Sequence, residues 1–422
     1  MLHYEKMARL LASAACAALV LGAQAAPPGA REGYPKLMGM NIGAKNYHDP
    51  KYNADLSRLD VAILGFHPGW RGDRGGEVIG RTVRQIVARN PSILLGQYTI
   101  LNESSDDLVR TAASRDRIDK LNDEDWWLRG ADGAKTAWTQ QYSAFDINFT
   151  EWSRADRNGD RYPQWLARRD FQRFFEPVPE FRIWYLDNVM ARSRVSKADW
   201  KRQGRDVSSR DPEIEAAYRR GQAAHWQAIR KLRPDALLMG NADSDLSLPE
   251  YRNQLDGVFL EGLMGKSWSL ERTAGWAAMM KRYLGVKANL RPPAIVGFNV
   301  AGEPGDYRLM RYALGSCLLG DGYFSYTDDR AGYSSVPWFD EYDVRLGKAL
   351  DPPQTDAWSN GVYRRRYERA MVLVNPDATP RTVAPGPGWR RFKGQQAPAV
   401  NSGEAADEVT LAPRDAIVLV KD

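Results

Sequence analysis

Eight short apolar runs, spaced along the first 330 residues, constrain this chain more than any other feature. They lie at 37–42, 61–66, 93–99, 183–186, 237–239, 258–260, 295–298 and 323–326. Each is continuous rather than alternating, and each is followed by polar or glycine-rich residues and then by helical periodicity. Continuous runs indicate strands covered on both faces, as in a parallel sheet. Between the fourth and fifth runs, Ile214, Ala217, Tyr218, Gly221, His225, Ile229 and Leu232 form one helical stripe that Pro234 ends. Eight strands alternating with helices predict a (β/α)8 TIM barrel, an α/β fold. A doubly wound sheet is the alternative, but no Gly-x-Gly-x-x-Gly follows the first run to favour a nucleotide site. On its stripe, His225 reads as core.

The barrel is expected over residues 33–352. After Pro352-Pro353 the pattern changes to short strands and turns, which predicts a small C-terminal antiparallel β domain, sandwich-like, over 358–422. At the other end, Lys6 and Arg9 precede an apolar stretch over 10–22 and Ala23-Gln24-Ala25, the pattern of a signal peptide over 1–25. That predicts a periplasmic or secreted protein with no integral membrane segment after cleavage. The crossover between residues 100 and 182 is too long for a single helix. Its tryptophans (Trp126, Trp127, Trp138, Trp152) predict an ordered wall beside the active face.

Composition narrows the chemistry. The formal charge of +6 is scattered with both signs interleaved, which argues against nucleic acid as a partner. Two cysteines, Cys16 and Cys317, and 4 histidines exclude a disulfide framework and make a metal centre improbable. Cys317 reads as a buried apolar residue. The run Asp156-Arg157-Asn158-Gly159-Asp160 begins like a calcium loop, but Arg161 and Ala167 stand where Gly and Glu belong, so no metal is assigned. No cofactor is implied. The chain carries 14 Trp, 19 Tyr and 12 Phe, flat faces that suit a core and also suit sugar rings.

In a barrel the reacting groups stand at the C-terminal ends of the strands. Here those positions hold carboxylates and amides, with no Ser-His-Asp order and no strand-end lysine. Two carboxylates stand directly after apolar strands, in Trp184-Tyr185-Leu186-Asp187-Asn188 and Val258-Phe259-Leu260-Glu261-Gly262. Strands four and six place them across the mouth from one another, as glycoside hydrolysis requires. Asp187 and Glu261 are therefore the candidate catalytic pair. In a retaining enzyme, Asp187 is the nucleophile and Glu261 the acid/base. The apolar flanks of Glu261 are expected to keep it protonated, and Asn188 to favour an ionised Asp187. The candidate substrate-binding residues are His67, Trp70, Asp146, Asn188, Asn241, Asp243, Trp268, Asp328 and Asp329. Asp328-Asp329 is also a rival carboxylate pair. The alternatives are a non-catalytic polysaccharide-binding protein on a degenerate barrel and a polysaccharide lyase.

The residues at 184–189, 256–263, 319–324 and 338–350, with 362–376 and 411–416 in the tail, resemble the bacterial hypothetical glycosyl hydrolase family fifteen. The resemblance spans most of the chain and is patchy between 102 and 182. It implies a barrel with a closing β domain, related to α-glycosidase barrels. These place a nucleophile Asp after strand four and an acid/base carboxylate after strand six, positions that Asp187 and Glu261 match. A carbohydrate substrate follows from the resemblance, but not which one.

Overall fold

The computed structural model describes residues 33–43, 46–65, 76–107, 114–242 and 245–421. The expected signal peptide, His67, Trp70 and Asp243 lie outside them. Eight parallel strands form one sheet in sequential order: β1 (Met38–Met40), β2 (Val61–Leu64), β3 (Leu94–Ile100), β4 (Phe181–Val189), β5 (Leu237–Ala242), β6 (Gly257–Met264), β7 (Ile295–Gly302) and β8 (Tyr323–Asp328). Leu37 pairs in parallel with Phe324, which brings the last strand back to the first and closes the barrel. All eight strands occupy the runs expected of them.

The strands read as continuous apolar runs because the two sides of the sheet meet different cores. Met38, Ile63, Ile183, Tyr185, Met239, Phe259, Ile295 and Tyr323 fill the interior. Their neighbours Ala62, Trp184, Leu186, Leu238, Val258, Leu260, Val296, Phe298 and Phe324 belong to the outer core shared with the helices. Side chains alternate along a strand, so this parity also decides which strand-end residues look into the mouth. Asp187, Asn241, Glu261 and Asn299 continue the inward set; Asp328 continues the outward one.

Helices α1 (Pro50–Leu56), α2 (Glu77–Arg89), α3 (Arg115–Asp123), α4 (Tyr162–Asp170), α5 (Pro212–Leu232), α6 (Leu270–Ala274), α7 (Trp276–Gly285) and α8 (Tyr307–Leu318) accompany the strands. The longest, α5, carries the stripe that the sequence predicts; Asp211 caps it by accepting from the amides of Glu213 and Ile214, with Pro212 in the first turn. His225 is buried on α5 with Nδ1 2.9 Å from the Pro163 carbonyl oxygen, as its stripe suggests. Cys317 is also buried, and burial pushes its thiol up to about 12.

The insertion between β3 and β4 packs on a second core that it shares with the loop after β4 and with α5. Trp126, Trp127, Phe149, Tyr162 and Trp200 pack together with Ile118, Leu121 and Ile214. At residue 221 of α5 it approaches so closely that a Cβ would lie 2.5 Å from the Phe149 carbonyl oxygen, so only glycine fits. The calcium-like loop is held by a cation from the protein itself: Lys120 Nζ stands 3.1 Å from Asp156, which also accepts from the amides of Asn158 and Asp160.

After the barrel, β9 (Tyr363–Arg366), β10 (Ala370–Asn375), β11 (Arg381–Val383), β12 (Trp389–Arg391), β13 (Val409–Leu411) and β14 (Asp415–Lys421) make two antiparallel sheets. The larger has the order β9-β10-β14-β12, and β11 pairs with β13. Alternation again explains the layers. Val372, Val374, Ala416 and Val418 join the barrel's outer core. Met371, Leu373, Ile417 and Leu419 turn the other way, toward Val383, Val409 and Leu411.

A buried ion pair locks the two parts together. Arg311 on α8 donates through Nε and a terminal nitrogen to the two oxygens of Asp415, at 3.0 and 2.8 Å. Removing one partner strands a buried charge, which typically costs about 3–5 kcal/mol, whereas replacing both by apolar groups costs far less. Asp415→Ala is therefore expected to lower unfolding free energy by that order in urea, and Arg311→Met with Asp415→Leu to recover most of it. Equal losses from the single and double variants would contradict the ion-pair account.

Candidate active site

The inward parity of β4, β5 and β6 brings Asp187, Asn241 and Glu261 side by side at the mouth. Asn241 Nδ2 donates to Asp187 Oδ1 at 3.0 Å and to Glu261 Oε2 at 2.9 Å. Since both bonds end on one nitrogen, these two oxygens are no more than about 5.9 Å apart, the sum of the two lengths. The remaining oxygens are held by tyrosines. Tyr98, on β3, donates its hydroxyl to Asp187 Oδ2, and Tyr333, from the loop after β8, donates to Glu261 Oε1. Tyr98 is itself buried and stacked on Tyr185, with ring centroids 5.7 Å apart.

Two irregularities shape this row. Pairing between β4 and β5 shifts register after Leu186, and Asn188 has φ of 54°, a left-handed conformation that asparagine tolerates better than most residues. The shift turns Asn188 from its outward parity to the cleft wall. On β6, Gly262 has φ of 62° and carries the Trp268 ring against it; a Cβ there would lie 2.1 Å from the indole. Asn299 accepts from the Gly262 amide at 3.2 Å and donates to Thr327 at 3.0 Å, stapling β6 to β8 across β7.

The cleft above these residues has a volume of about 1100 Å³. Asp187, Asn188, Asn241, Glu261 and Trp268 all line it, so five of the expected site residues meet in one place. Trp268 is 60% exposed, a large flat face on the cleft. Glu103, Trp138, Tyr142 and Arg194 also line it and form a wall contributed by the insertion and the loop after β4.

The other expected residues stand apart from this row. Asp328 follows its outward parity: its Oδ1 accepts from the amides of Arg330 and Ala331, forming the turn that leads to Tyr333. Asp329 pairs with Lys266 at 2.5 Å. Neither lines the cleft. Asp146 is buried behind the wall, where its carboxylate accepts from the Trp138 amide at 2.9 Å. The electrostatic expectation also changes. Glu261 is exposed, and its apolar flanks do not enclose it. Asp187 sits half-buried at the cleft floor, surrounded by protein; this desolvation, with the charge of Glu261, pushes its carboxyl up against the lowering effect of its donors.

Tyr98 and Tyr333 were not singled out from the sequence. Tyr98 lies within an apolar run and reads as core. Tyr333 follows β8 by five residues and reaches the site because Gly43 donates to its carbonyl and Asn41 donates to that of Ser335. The residue identities alone carry no signal for either role. Glu103 stands just past the third run, but nothing in the sequence separates it from Asn102 beside it.

Asp146 yields a test of the wall. Burial, with Glu103 nearby, pushes its carboxyl up to about 7 from an ordinary 3.8. Between those values the folded protein keeps a proton that the unfolded chain has lost, so stability falls as pH rises through the interval. Asp146→Asn keeps an acceptor for Trp138 without the charge. Urea melts at about pH 4 and about pH 8 should show the variant gaining on the wild type by on the order of 3 kcal/mol at the higher pH. A difference independent of pH would contradict the burial of an ionising carboxyl here.

The Eubacterium rectale protein Amy13B has a similar fold, with a TM-score of 0.50 at 10% identity, covering 93% of this chain and 96% of that one. A trehalulose synthase mutant in complex with Tris also has a TM-score of 0.50, at 13% identity and with 92% and 98% covered. An Anoxybacillus alpha-amylase follows at 0.47 and 10% identity, again covering 92% and 98%. At such identities the likeness is one of fold. No curated protein matches the chain in sequence. The model of hypothetical glycosyl hydrolase family 15 matches residues 95–371, a span that includes Asp187, Asn241 and Glu261. The chain belongs to that family and is a glycoside hydrolase.

Proposed function

We propose that this glycoside hydrolase cleaves a poly- or oligosaccharide with retention of anomeric configuration, using Asp187 as nucleophile and Glu261 as acid/base. The observation that carries the reading is the Asn241 bridge. Retaining enzymes hold their carboxyl groups about 5–5.5 Å apart and inverting ones about 6.5–9.5 Å. The bridge holds one oxygen of each carboxylate within about 5.9 Å of the other, which supports the shorter, retaining separation.

In the first step an Asp187 oxygen bonds to the anomeric carbon, the glycosidic C–O bond breaks, and Glu261 passes its proton to the departing oxygen. In the second, Glu261 takes a proton from water, the water oxygen bonds to the anomeric carbon, and the ester to Asp187 breaks. Both residues return to their starting states. Donor contacts and position, rather than desolvation, support this division of labour. Asp187 accepts from Tyr98, Asn241 and the Asn188 amide, donors that suit an oriented anion. Glu261 reaches further into the cleft and is exposed, where a leaving group and an incoming water can meet it. A lyase would need a deprotonated base. Burial instead pushes the Tyr98 and Tyr333 hydroxyls up, and both are donors to carboxylates. Export to the periplasm or beyond, supported by the sequence pattern over residues 1–25, suits a polymeric substrate outside the cytoplasm.

Asp187→Asn is expected to reduce turnover to background with an unchanged thermal melt. Glu261→Gln should lose about 10²–10⁴-fold on natural linkages, and much less on nitrophenyl glycosides, whose leaving group departs unprotonated. Wild-type rates in both variants would refute the pair. Proton NMR during turnover should show the product anomer first formed to be that of the substrate; the opposite anomer would refute retention. Tyr98→Phe removes a donor that favours ionised Asp187, so Asp187 should ionise at higher pH. The acid limb of the kcat/KM profile should shift upward, and a limb that stays in place would exclude this role for Tyr98.

A further inference from the structure

We infer that the insertion after β3 builds a separate sugar subsite beside the carboxylate pair, in which Glu103 accepts from a sugar hydroxyl and the Tyr142 ring supports the sugar's apolar face. The inference rests on Asp187 marking the reacting part of the cleft. Glu103 lines the cleft wall, and its Oε2 accepts from the Trp138 indole nitrogen at 2.5 Å. Its other oxygen has no partner among the described residues. Tyr142 also lines the cleft and is 56% exposed, an unusual position for so large a ring.

Trp138 makes these two groups one unit. Its backbone amide is held by Asp146, its indole N–H by Glu103, and its ring lies 5.9 Å from that of Tyr142. The Arg194 guanidinium packs 4.7 Å from the Trp138 ring centre. The ladder pairing Glu103 with Asp146 joins the two ends of this arm. A pyranose presents an apolar C–H face and a rim of hydroxyls. An exposed phenol ring beside a carboxylate oxygen matches both, the first by apolar burial and the second by a charge-assisted hydrogen bond. The ligand class is a linear oligosaccharide of neutral pyranose units, long enough to occupy the reacting position and the arm together.

The test uses the full chain carrying Asp187→Asn, which binds without cleaving, on an array of linear oligosaccharides two to six units long. Adding Glu103→Gln or Tyr142→Ala should leave the melting temperature in place. In the parent variant, affinity is expected to rise at least tenfold from two to four units, and in either double variant that gain should shrink below threefold. An undiminished gain with length, equal losses on two- and four-unit glycans, or a parent variant that binds no oligosaccharide would each overturn the subsite. Failure of the hydrolytic assignment reads out separately. If the wild type released no reducing ends from the glycans that the Asp187→Asn protein holds, the roles of Asp187 and Glu261 would fall while the subsite stood.

Discussion

Two carboxylates within about 6 Å of each other repel unless donors hold them, and here a single amide bridges the pair. Asn241 has two N–H groups on one nitrogen and directs one to each carboxylate. A lysine in its place would cancel one of the two charges, and an aspartate would add a third negative charge. Asparagine spaces the two groups without doing either. Tyr98 and Tyr333 complete the row, so that each outer oxygen also meets a donor. The row draws on β3, β4, β5, β6 and the loop after β8. Its geometry therefore depends on the closed barrel, and no local segment could supply it.

That dependence explains the layering around the site. The floor consists of strand ends whose parity is set by two cores, one inside the barrel and one outside it. The wall comes from the insertion and the loop after β4, which share an aromatic core with α5 and meet it at a glycine. The closing β domain packs the far side of α8 through an alternating set of small apolar residues and a buried Arg311–Asp415 pair. Floor and wall thus rest on separate packing units. A change in the wall can alter what the cleft holds while the carboxylate row stays in place.

The strands were legible because burial on both faces leaves an unbroken apolar run, and all eight stand where the runs predicted. Asp187 and Glu261 were legible as the first charged residues after such runs. Parity, applied further, separates Asp187 from Asp328: the first continues the Ile183–Tyr185 series into the barrel, the second the Phe324–Tyr326 series out of it. Nothing in the sequence marks the burial of Asp146, because its environment is made by a ladder to Glu103 across 43 positions of sequence. The environments of Asp187 and Glu261 were exchanged for a related reason. Neighbours in sequence say little about solvent at a barrel mouth, where depth along the cleft decides it. Tyr333 had no signal, since a loop tied to β1 delivers it.

The central claim is that Asp187 forms a covalent bond to the sugar. A 2-deoxy-2-fluoro glycosyl fluoride that inactivates the enzyme tests this most directly, because the fluorine slows release of the intermediate. Intact-mass measurement should show one added glycosyl unit, and peptide fragmentation should place it on Asp187. The Asp187→Asn protein should remain unlabelled. Label on Glu261 or on Asp329, or full turnover with no labelled species, would contradict the account.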